Sequence, residues 1–249
     1  MAIAPNPAPD SRPSEDPLQA NIPPIRQGCL AAAYYGQRRS GDFYDCLRVN
    51  HDRVLFGLFD VAGRLPETRP IMLALQGSFR ARGSTLLSAS GTNEIDALLE
   101  LWVELNYALM KAAGGVRSCP AFLCCYNDEV KILSYVNAGH NPGLFWDGEG
   151  VRELGATALP LGLFSHTVPD ASMIGLGVGN SVLAVSKGVV EAKHRGEEFG
   201  LERVKGYLEK TGFETAHETC VGLVARVQQF MGTAPTHNDV TAMALVRSQ

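Results

Sequence analysis

Two acids in this chain stand where apolar strand patterns begin or give out. In Ser40-Gly41-Asp42-Phe43-Tyr44-Asp45 a glycine precedes an acid at the start of a strand pattern. A residue without a Cβ lets backbone and carboxylate approach a cation closely, so Asp42 is a candidate ligand for a hard metal ion, with Gly41 as its enabling neighbour. Further on, Leu55-Phe56-Gly57-Leu58-Phe59 runs directly into Asp60-Val61-Ala62-Gly63. A carboxylate that ends a nearly all-apolar strand emerges from the core at the edge of a sheet. Burying it unpaired is costly, so it needs a cation or hydrogen-bond donors there. The local pattern also admits a plainer reading, an aspartate capping a backbone amide in a turn. His140, within Ala138-Gly139-His140-Asn141-Pro142, is likewise open to two readings. An imidazole can serve catalysis, but the turn-like surroundings favour a structural part for Gly139, His140 and Asn141.

The elements that must position these groups read as follows. Segments 29–35, 42–49 and 53–62 are rich in Leu, Val, Phe and Tyr and read as strands. Pro70 suits the first position of a helix on which Met72, Leu75 and Phe79 share one face. Leu98, Leu101, Trp102, Leu105 and Leu109 form a helical stripe within 93–112. Strands are predicted at 121–126 and 129–137 around an Asn127-Asp128 turn, then at 143–146, 151–154, 171–175, 181–185 and 241–246. Helices are predicted at 200–210 and 215–231, the second opened by the capping box Thr215-x-x-Glu218. Strands, then helices, then strands, then helices is not the βαβα alternation of a parallel sheet. It predicts an α+β chain with two antiparallel sheets packed together and helices outside.

Composition narrows the class. The chain has 249 residues, 45% hydrophobic and 19% charged, enough to bury a sizeable core. Seven prolines before residue 25 predict a disordered tail over 1–25 and one globular domain over 26–249. Six cysteines without zinc-ribbon spacing read as reduced thiols, and the protein is expected in the cytoplasm. The N-terminus has neither the basic nor the apolar region of a signal peptide, and nothing predicts a membrane span. A net charge of −4 without a Lys/Arg-rich run argues against nucleic acid as the main partner.

Several motifs, in order, resemble those of the protein phosphatase 2C (PPM) superfamily, in its sporulation-stage-II-E and RsbU-like bacterial serine phosphatase branch. Gly41-Asp42-Phe43-Tyr44-Asp45 resembles GGDFYD, with Ser40 at the first glycine. Asp60-Val61-Ala62-Gly63 resembles the start of DVSGHG, and Tyr135 to Pro142 is close to YVNAGHNP. Pro160-Leu161-Gly162 resembles a PLG turn, and Gly188-Val189-Val190-Glu191-Ala192 resembles the DGVTEA stretch. Asp239-Val240-Thr241 resembles the DDVT that opens the last strand. The resemblance implies a PPM-type αββα sandwich. It also implies two Mn²⁺ or Mg²⁺ ions between the sheets, with a bridging water attacking a phosphoserine or phosphothreonine phosphorus. Carried over, Asp42 binds one ion, Asp60 bridges both and the Val61 backbone carbonyl completes the first site, making Asp42 and Asp60 the catalytic pair. Gly63 and Gly188 fall at motif glycines.

Two departures follow from the same resemblance. The family's YTDG is Val185-Ser186-Lys187-Gly188 here, so Lys187 replaces a ligand, and an ammonium has only donors. Asn238 stands at the first acid of DDVT, leaving Asp239 as a doubtful ligand, with His237 beside it as a possible substitute. The reading expects one ion at most, with Lys187 projecting into the vacated place and pairing with Asp60. The implied partner is a phosphorylated regulator such as a STAS-domain anti-sigma-factor antagonist, or its kinase, with regulatory input arriving through a partner or expression. The alternative is a catalytically impaired pseudophosphatase acting as a binding module.

Overall fold

The computed structural model describes residues 20–37, 40–211, 214–233 and 238–248. Three strands come first: β1 (Gly28–Tyr35), β2 (Ser40–Arg48) and β3 (Arg53–Arg64). Two long helices follow, α1 (Arg69–Leu87) and α2 (Glu94–Ala113). Then come β4 (Ala121–Asn127), β5 (Ile132–Ala138), β6 (Gly143–Trp146), β7 (Val151–Leu154), β8 (Ser172–Gly175) and β9 (Ser181–Val185). A one-turn helix α3 (Lys187–Val190) and a small hairpin, β10 (Lys193–His194) with β11 (Glu197–Glu198), lead to α4 (Gly200–Thr211), α5 (Ala216–Met231) and β12 (Val240–Arg247).

The described strands build two five-stranded antiparallel sheets, β1-β12-β9-β6-β7 and β2-β3-β4-β5-β8. Three apolar layers hold them. One core joins the second sheet to α1 and α2, another joins the first sheet to α4 and α5, and a third lies between the sheets. This is the αββα sandwich that the order of elements predicts. The stripe on α2 explains its docking: Leu98, Leu101, Trp102, Leu105 and Leu109 are all buried, each worth about 1.5–3 kcal/mol relative to exposure.

Strand periodicity decides which residues reach the space between the sheets. On β3, Val54, Phe56 and Leu58 face that space while Leu55, Phe59 and Val61 face the helices. Asp60 has the parity of the first set, so it ends the inter-sheet face of its strand. Asp42 shares that parity with Tyr44 and Cys46 on β2, whereas Phe43 faces the helices. On β9, Val182 and Ala184 point inward, which leaves Ser186 next in line. On β12, Met243 and Leu245 point inward, and Thr241 and Asp239 precede them at the same spacing.

The two acids of the Asp42–Asp45 motif therefore face opposite ways. Asp45 is fully buried under α1 and takes a two-point contact from Arg80, Nε to Oδ2 at 2.6 Å and Nη2 to Oδ1 at 3.0 Å.

Three expectations change. β5 begins at Ile132 rather than 129, because Asn127 Oδ1 accepts from the amides of Glu129 and Val130 and holds a longer turn. Residues 187–190 form a helical turn, and 193–198 a hairpin, that the pattern did not reveal. Of the expected tail, residues 1–19 lie outside the described residues. Residues 20–25 rest on the domain: Ala20 and Ile25 pack against the inter-sheet core, and the Cys46 thiol donates to the Asn21 carbonyl at 3.4 Å. Extended proline-rich backbone can lie along a surface without a helix or a ladder. No helix among the described residues is long and apolar enough to cross a membrane.

Arg80→Ala leaves the Asp45 carboxylate buried without its cation. Its thermal midpoint should fall by roughly 5–10 °C, and Arg80→Lys should recover only part of that, because an ammonium cannot make the two-point contact. A chain starting at Arg26 should melt a few degrees below one starting at Ala20, checked by the same thermal unfolding.

Candidate active site

Asp42 and Asp60 are directly opposite each other across the β2–β3 pair. Like charges at such a position repel, and here they do so at the end of a largely apolar layer. Burial first, then the neighbouring Asp60, with a smaller push from Asp239, holds the Asp42 carboxyl well above the ordinary carboxylate range; the nearby Ser186 hydroxyl acts weakly the other way. Asp42 Oδ2 is buried with no hydrogen-bond partner. A buried acceptor without a donor, beside a second carboxylate, fits a hard divalent cation.

The backbone around this pair is tight. A Cβ on Gly41 would come within 1.9 Å of the Val61 carbonyl oxygen, so only glycine lets β2 pass there. Gly63 has φ +129°, and a Cβ there would collide with Arg117, whose Nη1 donates to the Ala62 carbonyl at 2.8 Å. Val61 is buried in the core beneath the helices. Asp42 thus faces Asp60, and the Val61 carbonyl oxygen lies against Gly41 beside them in the chain. Among the described residues no group of three or more His, Cys, Asp or Glu side chains is placed to hold an ion.

The opposite wall of the site departs from the sequence expectation. Lys187 lines the same cleft as Asp60 but does not pair with it. Its Nζ lies 3.5 Å from Glu191 Oε1, one helical turn on. The reason is parity: Val185 faces the outer core, so a residue two further along does not return to the inter-sheet space, and α3 begins at Lys187. Asn238 donates from Nδ2 to Glu191 Oε2 at 3.4 Å. Lys187 and Asn238 are thus joined through one carboxylate. Asp239 is buried, and its Oδ2 accepts from the Ser40 amide at 2.9 Å and the Ser40 hydroxyl at 2.6 Å. His237 lies outside the described residues.

Ser186, Ser40 and Glu191 escaped the sequence reading as functional groups. Ser186 ties the end of β9 to the start of β12 within the first sheet: its hydroxyl donates to the Asp239 carbonyl at 3.1 Å and accepts from the Thr241 amide at 3.0 Å. The i,i+4 spacing of Lys187 and Glu191 was the available signal for that pair. Gly188 is required because a Cβ there would meet the Asp239 carbonyl oxygen at 2.1 Å.

The Gly139–Asn141 turn forms the remaining wall. Gly139 has φ +64° and packs on Pro160. The His140 amide donates to Asn137 Oδ1 at 2.9 Å, and Asn141 Nδ2 reaches across to the Val185 carbonyl at 3.2 Å. His140 Nδ1 lies 3.2 Å from the Asn141 carbonyl oxygen; a carbonyl only accepts, so Nδ1 carries the proton. Nε2 is buried without a partner, and burial lowers the pKa of the ring. Together with Lys187, Glu191 and Glu198, these residues enclose a cleft of about 340 Å³ that opens onto Asp60.

Two antiparallel sheets between helix pairs, with paired acids at one end of the layer between them, define a phosphatase fold of the PPM type. The chain belongs to the Stage II sporulation protein E (SpoIIE) family, which it matches over residues 50–248. It is similar to phosphoserine phosphatase RsbP of Bacillus subtilis (strain 168), 24% identical over 153 residues. That alignment covers 61% of this chain and 37% of RsbP, so the chain spans little more than a third of the relative's length. Its fold is similar to the SiaA-PP2C domain of Pseudomonas aeruginosa, with a TM-score of 0.74 and 19% identity over 88% of this chain and 86% of that one. It is also similar to the catalytic domain of serine threonine protein phosphatase PstP in complex with two manganese ions, with a TM-score of 0.62 and 12% identity over 89% and 99% of the chains.

An acid whose pKa is raised on folding keeps a proton that the unfolded chain has lost. Metal-free stability should therefore fall as pH climbs from the usual carboxylate range through the raised Asp42 value. Asp42→Asn should remove that dependence and melt higher than the parent at neutral pH without metal. Adding Mn²⁺ should raise the parent's midpoint and leave the variant's unchanged; thermal scans at several pH values check both.

Proposed function

We propose that this chain acts on phosphoserine or phosphothreonine of a regulatory protein, such as a STAS-domain anti-sigma-factor antagonist. The observation that carries the reading is the half-buried Asp42–Asp60 pair, with Asp60 lining a cleft and one buried Asp42 oxygen lacking any donor, in a chain of the SpoIIE family. Asp42, Asp60 and the Val61 carbonyl would hold one Mn²⁺ or Mg²⁺ ion, which would supply charge neutralisation for a phosphoryl group. Asp60 presents its carboxylate to the cleft, and the Gly139–Asn141 turn shapes the wall against which the phosphorylated side chain rests. His140 stands in that wall with its ring nitrogen Nε2 buried, so its part there is to shape the turn.

A second reading is favoured by a specific observation. Glu191 holds both Lys187 and Asn238, the two positions at which the resemblance expects acids, which supports a chain short of ligands for a second ion. On this reading the chain is a pseudophosphatase that docks the phosphoprotein or its kinase.

Calorimetric Mn²⁺ titration with phosphopeptide turnover separates the two. The first reading expects one weakly bound ion, slow turnover, and loss of both in Asp60→Asn. Lys187→Asp with Asn238→Asp should raise Mn²⁺-dependent hydrolysis of a generic phosphoester by roughly tenfold or more, with neither change sufficing alone. Phosphopeptide binding without turnover in the parent would favour the docking reading; two tightly held ions in the parent would overturn the one-ion assignment.

A further inference from the structure

We propose that the groove between α4 and α5 docks an acidic segment of the protein partner beside the candidate active site. On α4, Arg203, Gly206, Tyr207 and Lys210 follow the i, i+3, i+4, i+7 spacing of one helix face. They line the groove together with Arg226 of α5, and the groove continues over Arg203 and Arg226 to Phe199 and Phe230. The guanidinium of Arg203 lies 5.0 Å over the Phe230 ring.

Three observations set this groove apart. First, its lining carries three cations and no acid. Arg203 pairs with Glu197 at 3.3 Å, but both side chains are well exposed and such a pair is worth little. Glu214 stands near the Tyr207 end. Neither Lys210 nor Arg226 forms an ion pair among the described residues, whereas Arg80, Arg82, Arg117, Lys187 and Lys205 all do. Second, Gly206 sits inside a twelve-residue helix with open space where its side chain would be. Glycine there costs the helix about 1 kcal/mol relative to alanine, and no close packing requires it. It does keep the floor of the groove clear. Third, the groove adjoins the candidate site: Glu198 lines the cleft with Asp60, and the next residue, Phe199, is a wall of the groove. Arg203 Nη1 donates to the carbonyls of both Glu198 and Phe199, at 2.6 and 2.8 Å, and so holds the two surfaces together.

A cationic, aromatic-walled channel complements an extended run of Asp and Glu. The proposal rests on the reading above for one point, that the occupant of the neighbouring cleft is carried on a protein. The test uses the full chain and a fluorescein-labelled peptide of Glu, Asp and Gly, followed by anisotropy. Lys210→Glu with Arg226→Glu should weaken binding by roughly tenfold or more, and added salt should weaken the parent's binding similarly. Gly206→Leu should raise or maintain the thermal midpoint while weakening binding, a pairing that a purely structural role for this glycine would not give. Asp60→Asn should leave peptide binding unchanged; if phosphopeptide recognition is absent while acidic-peptide binding persists, the phosphatase reading fails and the groove stands. Equal binding by parent and charge-reversed chain would overturn the proposal. So would displacement of the peptide by a single-stranded oligonucleotide at equal charge concentration, which would mark a surface for any polyanion.

Discussion

The apolar layer between the two sheets has to end somewhere, and at one end it closes on carboxylates. Asp42 and Asp60 stand opposite each other there, one of them with a buried oxygen lacking a donor. Crowding two acids at a desolvated edge is unfavourable unless something positive joins them or one keeps a proton. The tight passage of Gly41 past Val61, the bridging hydroxyl of Ser186 and the clamp of Ser40 on Asp239 all serve to fix this ending. Movement of any of these would move the acids.

The alternation of side chains along a strand carries most of the specification. It sends Asp42 inward and Asp45 outward from one short motif, so neighbouring acids acquire unrelated tasks. Asp42 faces Asp60 at the inter-sheet end, while Asp45 anchors α1 through Arg80. Because α1 packs on the far side of the same sheet, the helix layer and the acidic end share one strand. A shift of β2 by one residue would bury Asp42 against the helices and present Phe43 to the cleft.

The sandwich was legible because its elements are strongly patterned: the α2 stripe, the capping box at Thr215 and the run into Asp60 all appear where their residue types require. Asp42, Asp60 and the glycines were legible because their motifs are local. The partner of Lys187 was not. Counting two residues past a core strand ignored that Val185 faces outward and that a helix starts immediately. Ser186 and Ser40 were missed for a different reason. Their roles depend on groups 55 and 199 residues away in the chain, distances over which a hydroxyl carries no pattern.

The bond set of Lys187, Glu191 and Asn238 also changes what kind of chemical insult this region of the protein can feel. Where an ion holds α3 to the segment before the last strand, a chelator can pull the two apart. Here α3 and the segment before the last strand are joined by an exposed ammonium–carboxylate pair and an amide, all covalently part of the chain. Such a join is indifferent to chelation and instead loosens as ionic strength rises, since salt screens exposed charges within about 8–10 Å at physiological concentrations. The wall of the cleft would thus track the salt content of its surroundings rather than their supply of metal.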